Sequence, residues 1–167
     1  DVRELIGHTP VLHIRNTGIT ERVKLLAKLE LFNPGGSVKD RMGVALIMDA
    51  QERGLLKPGY TILEATAGNA GIGIALAAIG KGYHVIFAVP EKFSIEKQMI
   101  MKALGAEIVN TPLADGMKGA FDKVDELLKT IPNSLCLSQF TNPANPSAHY
   151  EQTGAEIYED LDGEIDY

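Results

Sequence analysis

Tryptophan is absent from this 167-residue sequence, cysteine occurs once, and no stretch of apolar residues is long. The single cysteine, Cys136, excludes a disulfide within the chain, which fits a reducing compartment. The longest apolar run, residues 72–79, is much too short to cross a bilayer, which takes about 20 apolar residues. The sequence also shows no signal-peptide pattern before its first strand. We therefore expect a cytoplasmic protein with no membrane partner.

Positive charge is also scarce. The chain has 16 Lys and Arg against 22 Asp and Glu, a net charge of -6, without a long run of either sign. Nucleic-acid binding normally shows as a basic patch or a high pI, so we expect no nucleic-acid partner. With 45% apolar and 23% charged residues, the composition is typical of a globular chain that is long enough to bury a core.

From Tyr60 onward, short β-branched segments alternate with longer helical patterns. Strands are predicted at residues 60–64, 83–89, 106–111 and 134–139, and helices at residues 69–81, 94–105 and 117–130. This order is typical of βαβ units. The strands are apolar on both faces, which indicates a parallel sheet with helices on both sides. We predict an α/β fold.

Further elements are predicted outside this block. Residues 23–30 indicate a strand, residues 38–53 a helix, and a helix is expected to begin at about Ser147. The last residues, GEIDY, look like a turn that enters a new strand, and a strand is a poor place for a domain to end. We therefore expect this sequence to be the front part of a longer protein.

Three loops follow predicted strands, and ligands of parallel α/β sheets bind at the carboxyl ends of the strands. The first, NPGGSVKDR, contains a Gly-Gly turn before a helix that Ser37 could cap, with Asp40 completing a short capping box. This pattern leaves Lys39 unexplained, because a helix N-terminus favours acids over cations. The position favours the neutral amine that Schiff-base chemistry needs. A solvated structural lysine is the alternative.

The second loop, ATAGNAGIG, could hold an anion. The Thr66 hydroxyl, the Asn69 amide and the N–H groups at the start of the helix suit a carboxylate or a phosphate. The glycines Gly68, Gly71 and Gly73 follow the order G-x-x-G-x-G, which is not the dinucleotide-binding order G-x-G-x-x-G. They are equally explained by a helix that packs close to its sheet.

The third loop, QFTNPANP, puts Gln139 at a strand end, where it either faces the ligand of the other loops or ties loop backbone together. We expect Cys136 to be a buried, inert thiol, because it lies in an apolar strand. We expect no metal. Spacing suited to one metal site is absent among the four histidines, which are His8, His13, His84 and His149.

Taken in this order, the segments GHTPVL, NPGGSVKDR, ATAGNAGIGIALA, KALGAEIV and QFTNPANPSAHYEQTGAEI resemble the cysteine synthase and cystathionine β-synthase family of pyridoxal-phosphate enzymes. The resemblance runs along essentially the whole chain. It implies fold type II, with residues 34–144 as a smaller mobile domain and residues 1–33 and 145–167 as parts of a larger one. It also implies a homodimer. The glycine-rich loop for the cofactor phosphate would lie beyond Tyr167, so residues 1–167 alone are expected to be inactive.

The resemblance assigns roles to single residues. Lys39 would bind pyridoxal 5'-phosphate as the Schiff-base lysine and act as the catalytic base, and Asn69 would bind the ring hydroxyl of the cofactor. The substrate carboxylate would be held by the loop and the glutamine, that is, by Thr66, Ala67, Gly68, Asn69, Ala70 and Gln139. The family's loop is commonly T-S-G-N-T, so Ala67 and Ala70 each lack a hydroxyl. Each missing donor would cost roughly 1.5 to 3 kcal/mol of carboxylate binding if nothing replaced it.

The reaction implied is β-replacement on an amino acid. The leading expectation is a cysteine synthase, in which O-acetylserine loses acetate and sulfide adds to give cysteine. Ala67 also resembles a subgroup of O-acetylserine-dependent cystathionine β-synthases, in which homocysteine is the thiol. Two alternatives of other classes are a non-catalytic scaffold that binds a ligand or a partner, and a generic nucleotide-binding module.

Overall fold

A parallel sheet of four strands lies at the centre of the chain, and its neighbouring strands are in order Glu107–Thr111, His84–Pro90, Thr61–Ala65 and Ser134–Cys136. The computed structural model describes residues 1–15, 18, 20 and 22–167. An antiparallel pair precedes the sheet. The strands are β1 (Val11–Ile14), β2 (Leu25–Lys28), β3 (Thr61–Ala65), β4 (His84–Pro90), β5 (Glu107–Thr111) and β6 (Ser134–Cys136).

Helices alternate with the strands of the sheet, as the sequence pattern predicts. They are α1 (Lys39–Glu52), α2 (Asn69–Ala78), α3 (Ile95–Ala103), α4 (Gly116–Thr130), α5 (Ala144–Ala148) and α6 (Ala155–Asp160). A π-helical turn, His149–Gly154, joins α5 to α6. Ser94 caps α3, where its hydroxyl accepts a hydrogen bond from Lys97 N.

Helices cover both faces of the sheet, which confirms the predicted α/β architecture. On one face, side chains of α1, α2 and α3 pack with Ile62 of β3 and Phe87 of β4. On the other face, α4 packs against Leu63 and Ala65 of β3. Both parities of β3 are therefore buried, as expected for a central parallel strand.

A cluster of ion pairs joins α1 to the segments that precede and follow the sheet in the sequence. Arg41 of α1 is 1% exposed, and its guanidinium donates to both carboxylate oxygens of Glu30 and of Glu156 over 2.6–2.9 Å. Lys28 of β2 contacts Glu156 and Asp160 at 3.1 and 2.7 Å. Residues before position 34 and after position 144 thus meet at the base of α1.

The structure differs from the predicted elements at the end of β6 and beyond it. Strand β6 ends at Cys136 instead of residue 139, because Ser138 adopts a left-handed backbone with φ of 58°. The following helix begins at Ala144, before the predicted Ser147. Pro143 and Pro146 are tolerated there, because the first turn of a helix needs no backbone donor. Residues 164–167 pair with no strand among the described residues, so the strand predicted in GEIDY is not observed.

Among the described residues, none of the helices has the length and apolar character that a membrane span requires.

Candidate active site

The three loops singled out in the sequence meet in one cleft. It has a volume of about 410 Å³, and its walls are residues 37–39, 66–70 and 139–140, together with Lys97 and Met117. The loop after β3 and the segment after β6 are neighbours because β3 and β6 are adjacent in the sheet. The N-termini of α1 and α2 open into the same space. All seven site residues predicted from the sequence line this cleft.

Lys39 is the first residue of α1 and is half-buried at the cleft. Its backbone N–H donates to Ser37 Oγ at 3.2 Å, although the N-cap position is Val38, one residue after the predicted Ser37. Asp40 does not complete the predicted capping box with Ser37. Its carboxylate turns back instead and accepts from Gly35 N at 2.5 Å. The Lys39 amine makes no hydrogen bond or ion pair with another described residue.

The loop 66–70 presents backbone and one amide side chain to the cleft. Gly68 is extended, with φ of -168°, and α2 starts at Asn69, so the N–H groups of Asn69 and Ala70 have no acceptor within the helix. The Asn69 side chain makes no hydrogen bond with another described residue. Unpaired N–H groups at a helix N-terminus favour an anion.

Thr66 also stabilises the backbone of this loop. Its hydroxyl oxygen accepts hydrogen bonds from Gly71 N at 3.1 Å and Gly68 N at 3.3 Å, and the side chain is almost fully buried. The oxygen therefore holds the loop closed, and only the hydroxyl hydrogen remains to reach a ligand in the cleft.

Gln139 lies opposite this loop and is 7% exposed. Its side-chain Nε2 donates to Ala65 O at 3.2 Å, and its backbone carbonyl oxygen accepts from Asn145 Nδ2 at 2.9 Å. The glutamine thus ties loop backbone together and also lines the cleft. The interpretation that Gln139 ties loop backbone together is confirmed, and its contact with a ligand stays a prediction.

Two of the three loop glycines serve packing. A Cβ on Gly73 would lie 2.2 Å from Lys39 O, and a Cβ on Gly43 would lie 2.3 Å from Gly73 C. A Cβ on Gly71 would lie 2.3 Å from Met101 Sδ. Gly73 and Gly71 therefore permit close contact of α2 with α1 and α3, whereas Gly68 faces the cleft. The packing explanation is right for Gly71 and Gly73, but the partners are helices and not the sheet.

Sequence reasoning missed several residues of the cleft. Lys97 of α3 places its Nζ 3.5 Å from the position of a Cβ on Gly68, and no acid contacts this amine among the described residues. Phe140 lines the opposite side and packs edge-on against Phe121, with ring centroids 5.7 Å apart. The signal for Lys97 was its place in the first turn of a helix that follows a strand end, which is the same signal that identified Lys39.

His149 also lies near the site. Burial, together with the positive charges of Lys39 and Arg41, lowers the pKa of its imidazole. Its Nδ1 contacts Thr153 Oγ1 at 3.1 Å. The sequence analysis considered this histidine only as a metal ligand.

Cys136 does not reach the cleft. Burial, followed by the nearby carboxylate of Glu64, raises the pKa of its thiol to about 11. The sulfur lies 3.5 Å from Glu64 Oε2. A thiol with a raised pKa is a poor nucleophile at neutral pH, in agreement with the prediction of an inert cysteine.

The donor set of the cleft fits a cofactor with a carbonyl group, a hydroxyl and an acid function. Lys39 could supply an amine for the carbonyl carbon, the Asn69 side chain an amide for the hydroxyl, and the α2 N-terminus N–H groups for an anion. These groups share one cleft and have no competing partner among the described residues.

Comparison with known proteins agrees with this donor set. The sequence profile of the family described as "Pyridoxal-phosphate dependent enzyme" matches residues 2–167. The O-acetylserine dependent cystathionine beta-synthase of Bacillus subtilis (strain 168) is 54% identical over 165 residues, which is 99% of this chain and 54% of that protein. Cysteine synthase A of Escherichia coli (strain K12) is 47% identical over 162 residues, which is 96% of this chain and 49% of that protein.

Solved structures agree as well. The crystal structure of the O-acetylserine dependent cystathionine beta-synthase from Helicobacter pylori superposes with a TM-score of 0.92 at 48% identity, over 97% of this chain and 53% of that one. The chain therefore spans about half the length of these relatives.

Proposed function

This chain belongs to the family of pyridoxal-phosphate-dependent enzymes, and we propose that it carries the lysine-bearing half of an enzyme that performs β-replacement on O-acetylserine. The observation that carries this proposal is the cleft itself. Lys39, Asn69 and Gln139 lie at the ends of different elements. The adjacency of β3 and β6 brings Gln139 to the loop 66–70, and the packing of α1 on α2 brings Lys39 to the same space.

Each group of the cleft has a part in the proposed reaction. Bound pyridoxal phosphate supplies an aldehyde that takes up the amino group and a ring system that accepts negative charge from Cα. Lys39 Nζ removes the α-proton as general base and later returns a proton to the same carbon. Asn69 orients the cofactor through its amide. The N–H groups of Asn69 and Ala70 and the side chain of Gln139 bind the carboxylate of the amino acid.

The bonds that change lie at the β-carbon. The bond from Cβ to the acetate oxygen breaks, acetate leaves, and a thiol sulfur forms the new bond to Cβ while its proton is lost. The N–H groups of Asn69 and Ala70 remain available to the carboxylate without the two hydroxyls that Ala67 and Ala70 lack, because N–H groups at a helix N-terminus bind anions.

We propose homocysteine as the thiol, which reverses the preference for sulfide stated from the sequence. Two observations favour it. The relatives from Bacillus subtilis and Helicobacter pylori, at 54% and 48% identity, are named O-acetylserine dependent cystathionine beta-synthases. Lys97 also places a second lysine side chain at the cleft, which suits a thiol that bears its own carboxylate. Sulfide, which would make the protein a cysteine synthase, is the second candidate. Its support is the 47% identity to cysteine synthase A of Escherichia coli.

The choice of thiol is tested with the full-length enzyme and O-acetylserine. We expect a larger kcat/KM for homocysteine than for sulfide, and we expect Lys97→Ala to raise the KM for homocysteine with little effect on sulfide. Lys102→Ala is the matched control, because Lys102 lies on the same helix and is exposed. A larger kcat/KM for sulfide would make the protein a cysteine synthase.

The class of function is tested with Lys39→Ala in the full-length protein. We expect the wild-type protein to show visible absorption of lysine-linked cofactor that changes when O-acetylserine is added, and the variant to lose both. A protein whose wild-type spectrum does not respond to O-acetylserine would instead be a non-catalytic scaffold. The homodimer and the cytoplasmic location stay predictions that rest on the resemblance.

A further inference from the structure

Glu64 is a carboxylate in the middle of the core. It lies on β3, is 1% exposed, and is surrounded in sequence by the apolar residues of the most buried strand. Burial raises the pKa of its carboxyl group. A buried acid is costly unless it is hydrogen-bonded, so its partners indicate why it is there.

Besides the Cys136 thiol, the partners of Glu64 are the two residues that follow Leu137. Its Oε2 accepts from Ser138 N at 2.9 Å, and its Oε1 accepts from Gln139 N at 3.4 Å. Both carboxylate oxygens are therefore used by consecutive backbone N–H groups, an arrangement that a neutral amide could not reproduce because it has one acceptor oxygen.

These N–H groups belong to a turn with an unfavourable backbone conformation. Ser138 has a left-handed backbone with φ of 58°, which costs a non-glycine residue about 1–2 kcal/mol. The turn moves the chain out of the sheet after β6, so that Gln139 leaves the strand direction and faces the cleft. The two hydrogen bonds to Glu64 stabilise the turn.

Both the backbone and the side chain of Gln139 are thereby bonded to β3. Its backbone N–H binds the Glu64 side chain, and its side-chain Nε2 donates to the backbone oxygen of Ala65, the next residue of the same strand. The Gln139 side chain also bonds to the Glu64 carboxylate, which offsets part of the rise in the pKa of Glu64 that burial causes. The orientation of this amide therefore depends on Glu64.

We propose that Glu64 is a positioning residue for amino-acid binding, which holds the Ser138–Gln139 turn so that the Gln139 amide meets the carboxylate of the amino acid. This inference rests on the proposed function, because it assumes that Gln139 contacts that carboxylate. Glu64 does not line the cleft and acts only through Gln139.

The test compares two ligands that differ in one group. L-Serine carries the carboxylate, and ethanolamine is the same molecule without it. Binding of each is measured from the change in visible absorption of the full-length, cofactor-loaded enzyme. We expect Glu64→Gln to weaken L-serine binding by about 5- to 30-fold, the factor that corresponds to one or two lost hydrogen bonds, and to leave ethanolamine binding unchanged.

A double-variant cycle asks whether Glu64 acts through Gln139. Gln139→Ala alone is expected to weaken L-serine binding, and adding Glu64→Gln to it is expected to weaken binding no further. Glu107→Gln is the matched control, because Glu107 is an exposed carboxylate on strand β5 of the same sheet. Glu64→Asp, which keeps both acceptor oxygens on a shorter side chain, should fall between the wild type and Glu64→Gln. It also allows the measurement if Glu64→Gln does not fold.

Hydrogen exchange supplies a readout that needs no cofactor. We expect Glu64→Gln to speed exchange of the Ser138 and Gln139 amides, with no change in the Glu107→Gln control. Equal weakening of L-serine and ethanolamine, or additive effects in the double variant, would overturn the proposal. A wild-type spectrum that responds to neither ligand would refute the proposed function instead, and the exchange of the two amides would still test whether Glu64 holds the turn.

Discussion

At the scale of single residues, Arg41 has the largest expected effect on stability. Its guanidinium lies between the carboxylates of Glu30 and Glu156 and is fully removed from water. The hydrogen bonds that the guanidinium donates to Glu156, and then to Glu30, outweigh burial and raise its pKa. Removing one member of such a cluster leaves charges without a partner in the interior.

We therefore expect Arg41→Met to lower the free energy of unfolding of the full-length protein by about 3–5 kcal/mol. Glu30 would lose the cation it pairs with, and Glu156 would keep only Lys28 as a cation among the described residues. Arg53→Met is the control, because Arg53 is exposed and pairs with Asp49 only across one helical turn, an interaction of about 0.3–0.5 kcal/mol. Urea unfolding of both variants measures the difference, and similar losses in the two would contradict this assignment.

The same cluster predicts a pH dependence. The hydrogen bond from Arg41 lowers the pKa of Glu156 from its ordinary value of 4.5 to about 2 in the folded state. A carboxyl group with a lowered folded pKa stabilises the protein above its ordinary pKa, and this contribution is lost as the pH falls toward the folded pKa. We expect the full-length protein to lose on the order of 2 kcal/mol from this group between about pH 5 and pH 2.

Glu156→Gln isolates that contribution. The variant should be less stable than the wild type at pH 6, and the difference should shrink as the pH approaches 2. Unfolding free energies of both proteins at a series of pH values provide the comparison, since other acids titrate equally in both. A difference that stays constant over this range would mean that Glu156 has an ordinary pKa.

At the scale of elements, the crossing of α1 and α2 determines the relative positions of the two helix N-termini. Gly43 lies one turn after Lys39, and Gly73 lies one turn after Asn69. The backbones touch at these glycines, because a Cβ on either would come within 2.3 Å of the other helix. The helices therefore touch one turn after Lys39 and Asn69, the two residues proposed to bind the cofactor.

We expect Gly43→Ala to push the helices apart and to separate Lys39 from Asn69. The predicted results are a loss of about 3 kcal/mol in stability, the upper part of the range for overpacking, and a lower occupancy by pyridoxal phosphate. Gly154→Ala is the control, since Gly154 is also helical and its nearest backbone neighbour, His149 O, would lie 3.3 Å from a Cβ. Cofactor absorption per protein and thermal unfolding are measured together. Full occupancy in Gly43→Ala would show that the crossing does not control the site.

At the scale of the whole molecule, the chain spans about half the length of its relatives, and the cleft is therefore proposed to be one wall of a larger site. We further propose that residues 34–144 form a smaller domain that moves against residues 1–33 and 145–167. The Arg41 cluster joins these parts at the base of α1, which would place the pivot near that helix.

A polypeptide of residues 1–167 is expected not to retain pyridoxal phosphate through gel filtration, whereas the full-length protein should retain it. The reason is that this chain supplies the amine and the amide but, by the family resemblance, not the loop that binds the cofactor phosphate. Absorption of the eluted protein gives the stoichiometry. Stoichiometric cofactor on the shorter polypeptide would mean that residues 1–167 are a complete site.

Local patterns were sufficient for most elements of this fold. Alternating apolar runs predicted β3, α2, β4 and α3 to within a few residues, because each of these elements buries its own periodic face. The predicted end of β6 and the predicted start of α5 were wrong. The turn after β6 binds Glu64, which is 74 positions away from Ser138, and such a distant contact leaves no local pattern. Glu64 was missed for the same reason, whereas Lys97 was missed although it lies in the first turn of a helix that follows a strand end.

The sequence by itself determined the α/β class, the two helix N-termini that carry Lys39 and Asn69, and the family, because these depend on short motifs and on periodic burial. Only the tertiary structure decided which groups meet. The adjacency of β3 and β6 brings Gln139 to the loop 66–70, the Gly43–Gly73 contact sets the spacing of the helices, and Glu64 orients the glutamine. These are contacts between residues far apart in the chain, and they exist only when the core packs.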